Sequence, residues 1–211
     1  MKPLTPGPEK PRVWFYDLAF TAFGLAVWPV FLSKCSRAED PGRLWRERLG
    51  FLPEPLRRKS AARPTVWVHA VSVGEVRAAE KLIEGLLERR SDLAVVLSTV
   101  TPTGQKVAQR LAGERVSVCY FPFDLSACVQ RALEAIRPEI VLLMETELWP
   151  NLILAACRKG IPVGVVNGRM SRRSAPVYRR FRRWLAPVWA GLDFVLAQSE
   201  EDAARFEGAG V

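Results

Sequence analysis

An α/β fold built on a Rossmann-like parallel sheet is predicted by three observations in this 211-residue chain. Six short runs rich in β-branched residues recur from Thr65 onward: "VWVHAV", "LAVVLST", "VSVCYF", "EIVLLME", "IPVGVVN" and "DFVLAQ". Amphipathic segments of helical length separate or follow them, at about residues 75–90, 102–112, 126–137, 148–159, 176–190 and 199–208. The runs are almost continuously apolar. Strands buried on both faces require that pattern, and right-handed crossovers place the helices that bury them.

Taken in chain order, the first element is "VWFYDLAFTAFGLAVWPVFL", residues 13–32, interrupted by a single charge, Asp17. About 20 apolar residues are what a helix needs to cross a bilayer's hydrocarbon core, so the segment reads as a membrane anchor. An amphipathic helix lying in the interface is the alternative. Trp14, Tyr16 and Trp28 stand towards its ends, where aromatic rings favour the interface. Basic residues crowd the stretch that follows, among them Arg43, Arg46, Arg48, Arg57, Arg58 and Lys59, and the positive-inside rule places the bulk of the chain in the cytoplasm. Lys34 precedes Cys35 where a lipoprotein signal needs a small residue, so the expected anchor is uncleaved. Residues 1–33 therefore read as tail and anchor, 34–64 as a basic connector with room for one short helix, and 65–211 as the α/β domain.

The totals narrow the function. Lysine and arginine outnumber aspartate and glutamate by 31 to 22, and a net charge of +9 points to an anionic partner: nucleic acid, phosphorylated sugar or acidic lipid. Cys35, Cys119, Cys128 and Cys157 form no C-x-x-C pair, and three of them sit in apolar runs. That argues for a reducing compartment and against a structural zinc. A single histidine, His69, leaves a histidine-based metal site or nucleophile relay little to work with, and it reads as a strand-end residue with a satisfied hydrogen bond. Neither a metal nor a cofactor is expected.

In such sheets ligands bind outside the carboxyl ends of the strands. Those ends carry Ser72, Val73, Gly74 and Glu75 after the first run, "TVTPTGQ" after the second, Pro122, Phe123 and Asp124 after the third, Glu145, Thr146 and Glu147 after the fourth, and "NGRMS" after the fifth. Glu75 has two readings. S-x-x-E is the capping-box pattern, with Ser72 bonding the helix's third backbone N–H and Glu75 reaching back. Alternatively, Gly74 lets a substrate approach the backbone and Glu75 projects from the rim as a general base, for which its pKa must rise from about 4.3. Glu145 sits at the strand tip, whereas Glu147 lies where a helix N-terminus attracts negative charge. Asp124 reads as the N-cap of the helix after it, and Thr101-Pro102 as an N-cap followed by proline at the first helical position.

The set "VHAVSVGEV", "STVTPTGQ", "PFD", "METELWPN" and "VNGRMSRRS", in this order and spacing, resembles the N-terminal half of the 3-deoxy-D-manno-octulosonic acid (Kdo) transferases of lipopolysaccharide synthesis. The hydrophobic N-terminal segment fits the resemblance as well. It implies a GT-B glycosyltransferase, two Rossmann-like domains facing across a cleft, that is inverting and metal-independent and moves Kdo from CMP-Kdo onto a lipid A precursor. The family's catalytic base is the glutamate matched here by Glu75, and the acidic strand end matched by Glu145 belongs to its active-site cleft. A family member would continue past Val211 into a second domain holding most of the donor site, so this chain reads as the acceptor half. The implied place of work is the cytoplasmic face of the inner membrane.

Arginines supply the expected contacts to acceptor phosphates and anionic lipid: Arg169, Arg172, Arg173, Arg179, Arg182 and Arg183, together with Ser72, Gly74 and Glu147 on the rim. In "SRRSAPVYRRFRRWLAPVW", Val177, Phe181, Trp184, Leu185 and Val188 are expected on one core-facing helical stripe with the arginines pointing away. Rival readings are another membrane-associated GT-B transferase acting on a lipid-linked sugar, and a non-catalytic tethered binding module. A nucleic-acid binder is disfavoured because no motif of that kind accompanies the charge.

Overall fold

The computed structural model describes residues 40–211 together with Tyr16, Asp17, Leu18 and Thr21. Six parallel strands form one sheet in the order β3-β2-β1-β4-β5-β6: β1 (Thr65–His69), β2 (Ala94–Thr99), β3 (Val116–Tyr120), β4 (Ile140–Met144), β5 (Val163–Gly168) and β6 (Phe194–Ala197). Each lies within the run that predicts it or extends past it by one residue. The chain starts in the middle of the sheet, winds outward to β3, returns to the other side of β1, and winds outward again. The strand order therefore reverses between β1 and β4, the point outside whose carboxyl ends open α/β sheets bind their ligands.

The helices are α1 (Pro41–Arg48), α2 (Glu54–Ala62), α3 (Val73–Arg89), α4 (Pro102–Ala108), α5 (Ser126–Ile136), α6 (Pro150–Arg158), α7 (Ala175–Arg180), α8 (Arg182–Trp189) and α9 (Glu200–Ala209), with a 3-10 turn at Gln109–Leu111. Successive strand residues point to opposite faces, so β1 sends Trp67 to one layer and Val66 and Val68 to the other. Val76, Ala79 and Ile83 of α3 and Ala108 of α4 complete the second layer. Leu56 of α2, Val129 and Leu133 of α5, and Leu152 and Ile153 of α6 complete the first. Every residue of β1 and β2 is buried, which accounts for their unbroken apolar reading.

The stretch expected to connect with one short helix holds two, and both are built into the domain, where Leu44, Leu52 and Leu56 are buried. The physical reason is the edge strand. On α1, Arg43 Nη2 donates to Val118 O at 2.9 Å, Glu47 Oε2 accepts from Tyr120 N–H at 2.7 Å, and Arg48 Nη1 donates to Phe121 O at 2.9 Å. Side chains of α1 thus occupy backbone groups that β3 would otherwise leave open, as an unprotected sheet edge needs. Charge alone does not reveal this, because a buried arginine and a solvated one look alike in a sequence.

A second difference lies at residues 176–190, where one continuous helix is expected. The chain breaks at Phe181 (φ −97°, ψ 12°) into α7 and α8. Beyond the break Leu185 packs on the satellite core of Met170, Trp189 and Phe206, and Val188 is buried, but Val177, Phe181 and Trp184 are exposed. The single core-facing stripe is therefore not formed. The anchor expected over residues 13–32 lies outside the described residues apart from four helical positions, Tyr16, Asp17, Leu18 and Thr21. Among the described residues no helix is long and apolar enough to cross a membrane.

Candidate active site

At the end of β1 the chain leaves the sheet, and Ser72 takes an extended conformation as the N-cap of α3. Its Oγ accepts from Glu75 N–H at 3.4 Å, while Glu75 Oε2 accepts from the backbone N–H of Val71 at 2.8 Å. A capping box is present, with the glutamate reaching one residue beyond the usual partner. Glu75 as a residue is 5% exposed. Burial pushes its pKa up, the Val71 and Ser72 hydrogen bonds pull it down, and the nearby charge of Glu145 pushes it up again; the net shift is upward. The capping reading of the glutamate holds, and the cap orients a carboxylate of raised basicity.

Glu145 and Glu147 come from the loop after β4, the strand beside β1, from whose end Glu75 follows. Glu145 has φ +57°, a left-handed conformation, and its N–H donates to Val166 O at 3.0 Å. Beside it Asn167, near the end of β5, has φ +58°. Asparagine adopts this region more readily than glutamate, so the strand tip stores strain at Glu145. Glu147 precedes α6 by three residues and is not in its first turn, which holds no acid. Burial first, then the charges of Glu75 and Glu145, push its pKa up to about 7. The charge of Glu145 thus acts on both Glu75 and Glu147 near the point where strand order reverses. Among the described residues no group of three or more His, Cys, Asp or Glu is placed to hold a metal ion.

Packing supports the rim from below. His69 is fully buried, with its ring 3.9 Å from that of Phe121 and 5.6 Å from that of Trp149. Its Nδ1 lies 3.0 Å from Ser98 Oγ, and burial drives its pKa down to about 3, so it is a neutral strand-end residue as its setting predicts. Gly104 of α4 is required by close approach, since a Cβ there would stand 2.9 Å from Thr101 Oγ1 and 3.3 Å from Val71 O. Gly74 differs: a Cβ would meet nothing nearer than Ser72 Oγ at 3.8 Å, which leaves free space beside Glu75.

The caps are arranged differently from the sequence expectation. Asp124 does not cap α5. Its carboxylate accepts from Asn151 N–H at 3.0 Å and Leu152 N–H at 2.9 Å, and so caps α6, because the chain leaving β3 crosses back to α5, which packs against α6. Burial raises its pKa to about 6 against those hydrogen bonds. The first turn of α5 is served by Asp17, whose Oδ2 accepts from Ser126 Oγ at 2.7 Å and whose Oδ1 accepts from Asn151 Nδ2 at 2.6 Å. Nothing in the local sequence pattern marks Asp17 and Asn151 as supports of the site beyond a lone acid in an apolar run and an amide just inside a proline-started helix. Thr101 caps α4 as expected, accepting from Gly104 N–H at 3.0 Å.

The arginines are placed as follows. The carbonyl of Arg169 accepts from Thr146 Oγ1, which ties the β5 loop to the β4 loop. Arg169, Arg172, Arg173, Arg179, Arg182 and Arg183 are all exposed, and Arg172 Nη2 lies 3.4 Å from Glu201 Oε2. Tyr178 on α7 is close enough to Glu147 for that charge to help raise its pKa, after burial, so α7 lies near Glu147. A surface hollow lined by Leu133, Arg137, Lys159 and Ile161 shares no residue with this rim.

A family model described as 3-deoxy-D-manno-octulosonic-acid transferase (kdotransferase) matches residues 43–211. The chain is 38% identical to the 3-deoxy-D-manno-octulosonic acid transferase of Bordetella pertussis over 92% of its own length and 46% of that protein. It is 34% identical to the Haemophilus influenzae protein of the same description, over 69% of the chain and 34% of that protein. A probable mitochondrial 3-deoxy-D-manno-octulosonic acid transferase of Arabidopsis thaliana is 37% identical over 68% of the chain and 30% of that protein. The chain spans about half the length, or less, of these relatives.

Proposed function

The chain belongs to the Kdo transferase family, and from that membership we propose that it is the acceptor half of a GT-B glycosyltransferase that moves Kdo from CMP-Kdo onto a lipid A precursor. The observation that carries the reading is Glu75, buried at the reversal point of the sheet with free space beside Gly74 and a pKa raised by its setting. In the proposed reaction an acceptor hydroxyl gives its proton to Glu75 as its oxygen attacks the anomeric carbon of Kdo. CMP departs from the opposite face with the bonding electrons, so configuration inverts. General-base catalysis of this kind is worth about 10² to 10⁴-fold. Glu145 lines the cleft, and Glu147, with a pKa near 7, keeps the local charge from reaching three full negatives at neutral pH.

Ser72 and Gly74 border the acceptor hydroxyl in this reading. Arg169, Arg172 and Arg173 are the cations nearest the β5 rim for acceptor phosphates, and Arg179, Arg182 and Arg183 face lipid headgroups on the cytoplasmic side of the inner membrane. Residues 1–33 would hold the protein there, and a C-terminal domain would bring the donor across the cleft. The test is direct: intact protein incubated with CMP-Kdo and a lipid A precursor should release CMP and yield an acceptor heavier by Kdo. Folded protein that forms no such product overturns the assignment.

A further inference from the structure

We propose that the corner between α7 and α8 is a wedge that seats the protein in the interface of an anionic bilayer, with Val177, Phe181 and Trp184 entering the headgroup–acyl boundary and a collar of arginines on the lipid phosphates. For its place beside the acceptor site the proposal rests on the function proposed above; for its occupant it rests on the surface alone.

Val177, Phe181 and Trp184 are 55%, 48% and 84% exposed. The helical path brings them together, since Phe181 N–H donates to Val177 O at 3.0 Å and Trp184 N–H to Phe181 O at 2.9 Å, one turn each. They are not loosely held. Tyr178, Leu185 and Trp189 of the same two helices pack on Met170, Phe206 and Ala209, so the corner is mounted on a small core of its own while its outer flank stays apolar and bare. A contiguous exposed patch of large apolar groups marks an interaction site.

Charge identifies the occupant. Arg173, Arg179, Arg180, Arg182 and Arg183 are exposed around the patch, and among the described residues none of them has an acidic partner. Packing against another protein core would strand this charge, whereas anionic headgroups neutralise it while the acyl boundary takes the aromatic and aliphatic groups. Arginine with aromatic residues also suits single-stranded nucleic acid, but there bases stack in a groove. Trp184, at 84% exposure, stands clear of the surface. Because Tyr178 on the same helix senses Glu147, seating the wedge sets the carboxylate rim beside the membrane surface.

The test places an environment-sensitive fluorophore at Trp184→Cys in the intact protein, with Cys35 and Cys157 replaced by serine and the buried Cys119 and Cys128 left in place. A control label replaces Glu114, before β3 at the far end of the sheet. Phosphatidylglycerol/phosphatidylethanolamine vesicles should blue-shift the label at 184, brominated acyl chains should quench it, and the control should not respond. Phosphatidylcholine should give a much smaller effect. Because the readout is local, attachment through any other segment cannot mimic it. Phe181→Ser with Trp184→Ser should weaken vesicle binding by about tenfold or more and slow transfer to a lipid-borne acceptor, while a water-soluble acceptor lacking acyl chains reacts as before. A label that ignores anionic vesicles, one already shielded before lipid is added, or one that responds to oligonucleotide instead overturns the proposal. Loss of all transferase activity with the blue shift intact would count against the catalytic reading alone.

Discussion

Glu75 Oε2 accepts a 2.8 Å hydrogen bond from the backbone N–H of Val71, so the carboxylate expected to take a proton also closes the first turn of α3. The two roles make different demands. Closing the turn needs an acceptor oxygen, and taking a proton needs a base.

Glu75→Gln separates them. The amide oxygen still accepts from Val71, so the melting temperature should stay within a few degrees, while transfer should fall by about 10² to 10⁴-fold. Assay of the intact protein beside a thermal melt checks both. Activity within tenfold of wild type would return the residue to a purely structural role.

Glu145 is strained, with φ +57° at a position where glycine would be at ease. Glu145→Gly should therefore hold or raise stability by about 1 kcal/mol in urea denaturation, because a non-glycine residue pays about that much in the left-handed region. Turnover should nonetheless drop, as it should for Glu145→Ala, which keeps the strain and loses the acid. A glycine variant of lower stability would mean that the side chain holds the loop.

The α/β architecture was legible because both-face burial writes unbroken apolar strands, and the six strands lie where β-branched runs predict them. Glu75, Glu145 and Glu147 were legible as strand-end acids, since a Rossmann-like sheet fixes which end carries the ligands. The partner of Asp124 was not. Its target, α6, lies beyond β4 in sequence and becomes a neighbour only because α5 packs against α6, which local pattern does not encode. The exposed stripe on α7 and α8 was missed for a different reason. A 3.6-residue period finds an apolar face but cannot say whether protein covers it, and the break at Phe181 divides that face.

Glu147 keeps its proton to about pH 7 in the folded protein, whereas an unfolded glutamate releases it near 4.5. Between those values the folded state binds more protons, so this group's contribution to stability is fully present below the lower value and is lost as pH rises through the upper one. Glu147→Gln removes the dependence. The variant should match wild type near pH 4 and exceed it by roughly 1–3 kcal/mol at pH 8, an upper range because the group is part-exposed. Melting curves across that interval measure it, and a gain that is equal at both ends would mean that packing, not charge, is responsible.

Asp17 belongs to the apolar N-terminal run in sequence, yet it accepts from Ser126 N–H at 3.3 Å, Ser126 Oγ at 2.7 Å and Asn151 Nδ2 at 2.6 Å. Asp17→Ala leaves those donors without their partner, which should cost about 1–3 kcal/mol. Asp17→Asn keeps one acceptor oxygen and should cost less. The effect should be local before it is global: amide hydrogen exchange at Ser126 should accelerate in the alanine variant, while the β1 and β2 amides exchange as before. Removing the charge should also lower the pKa of Asp124, because Asp17 is one of the groups that raise it. Unchanged exchange at Ser126 would mean that Asp17 does not hold the first turn of α5 in solution, and the link between the N-terminal run and the rim would fall with it.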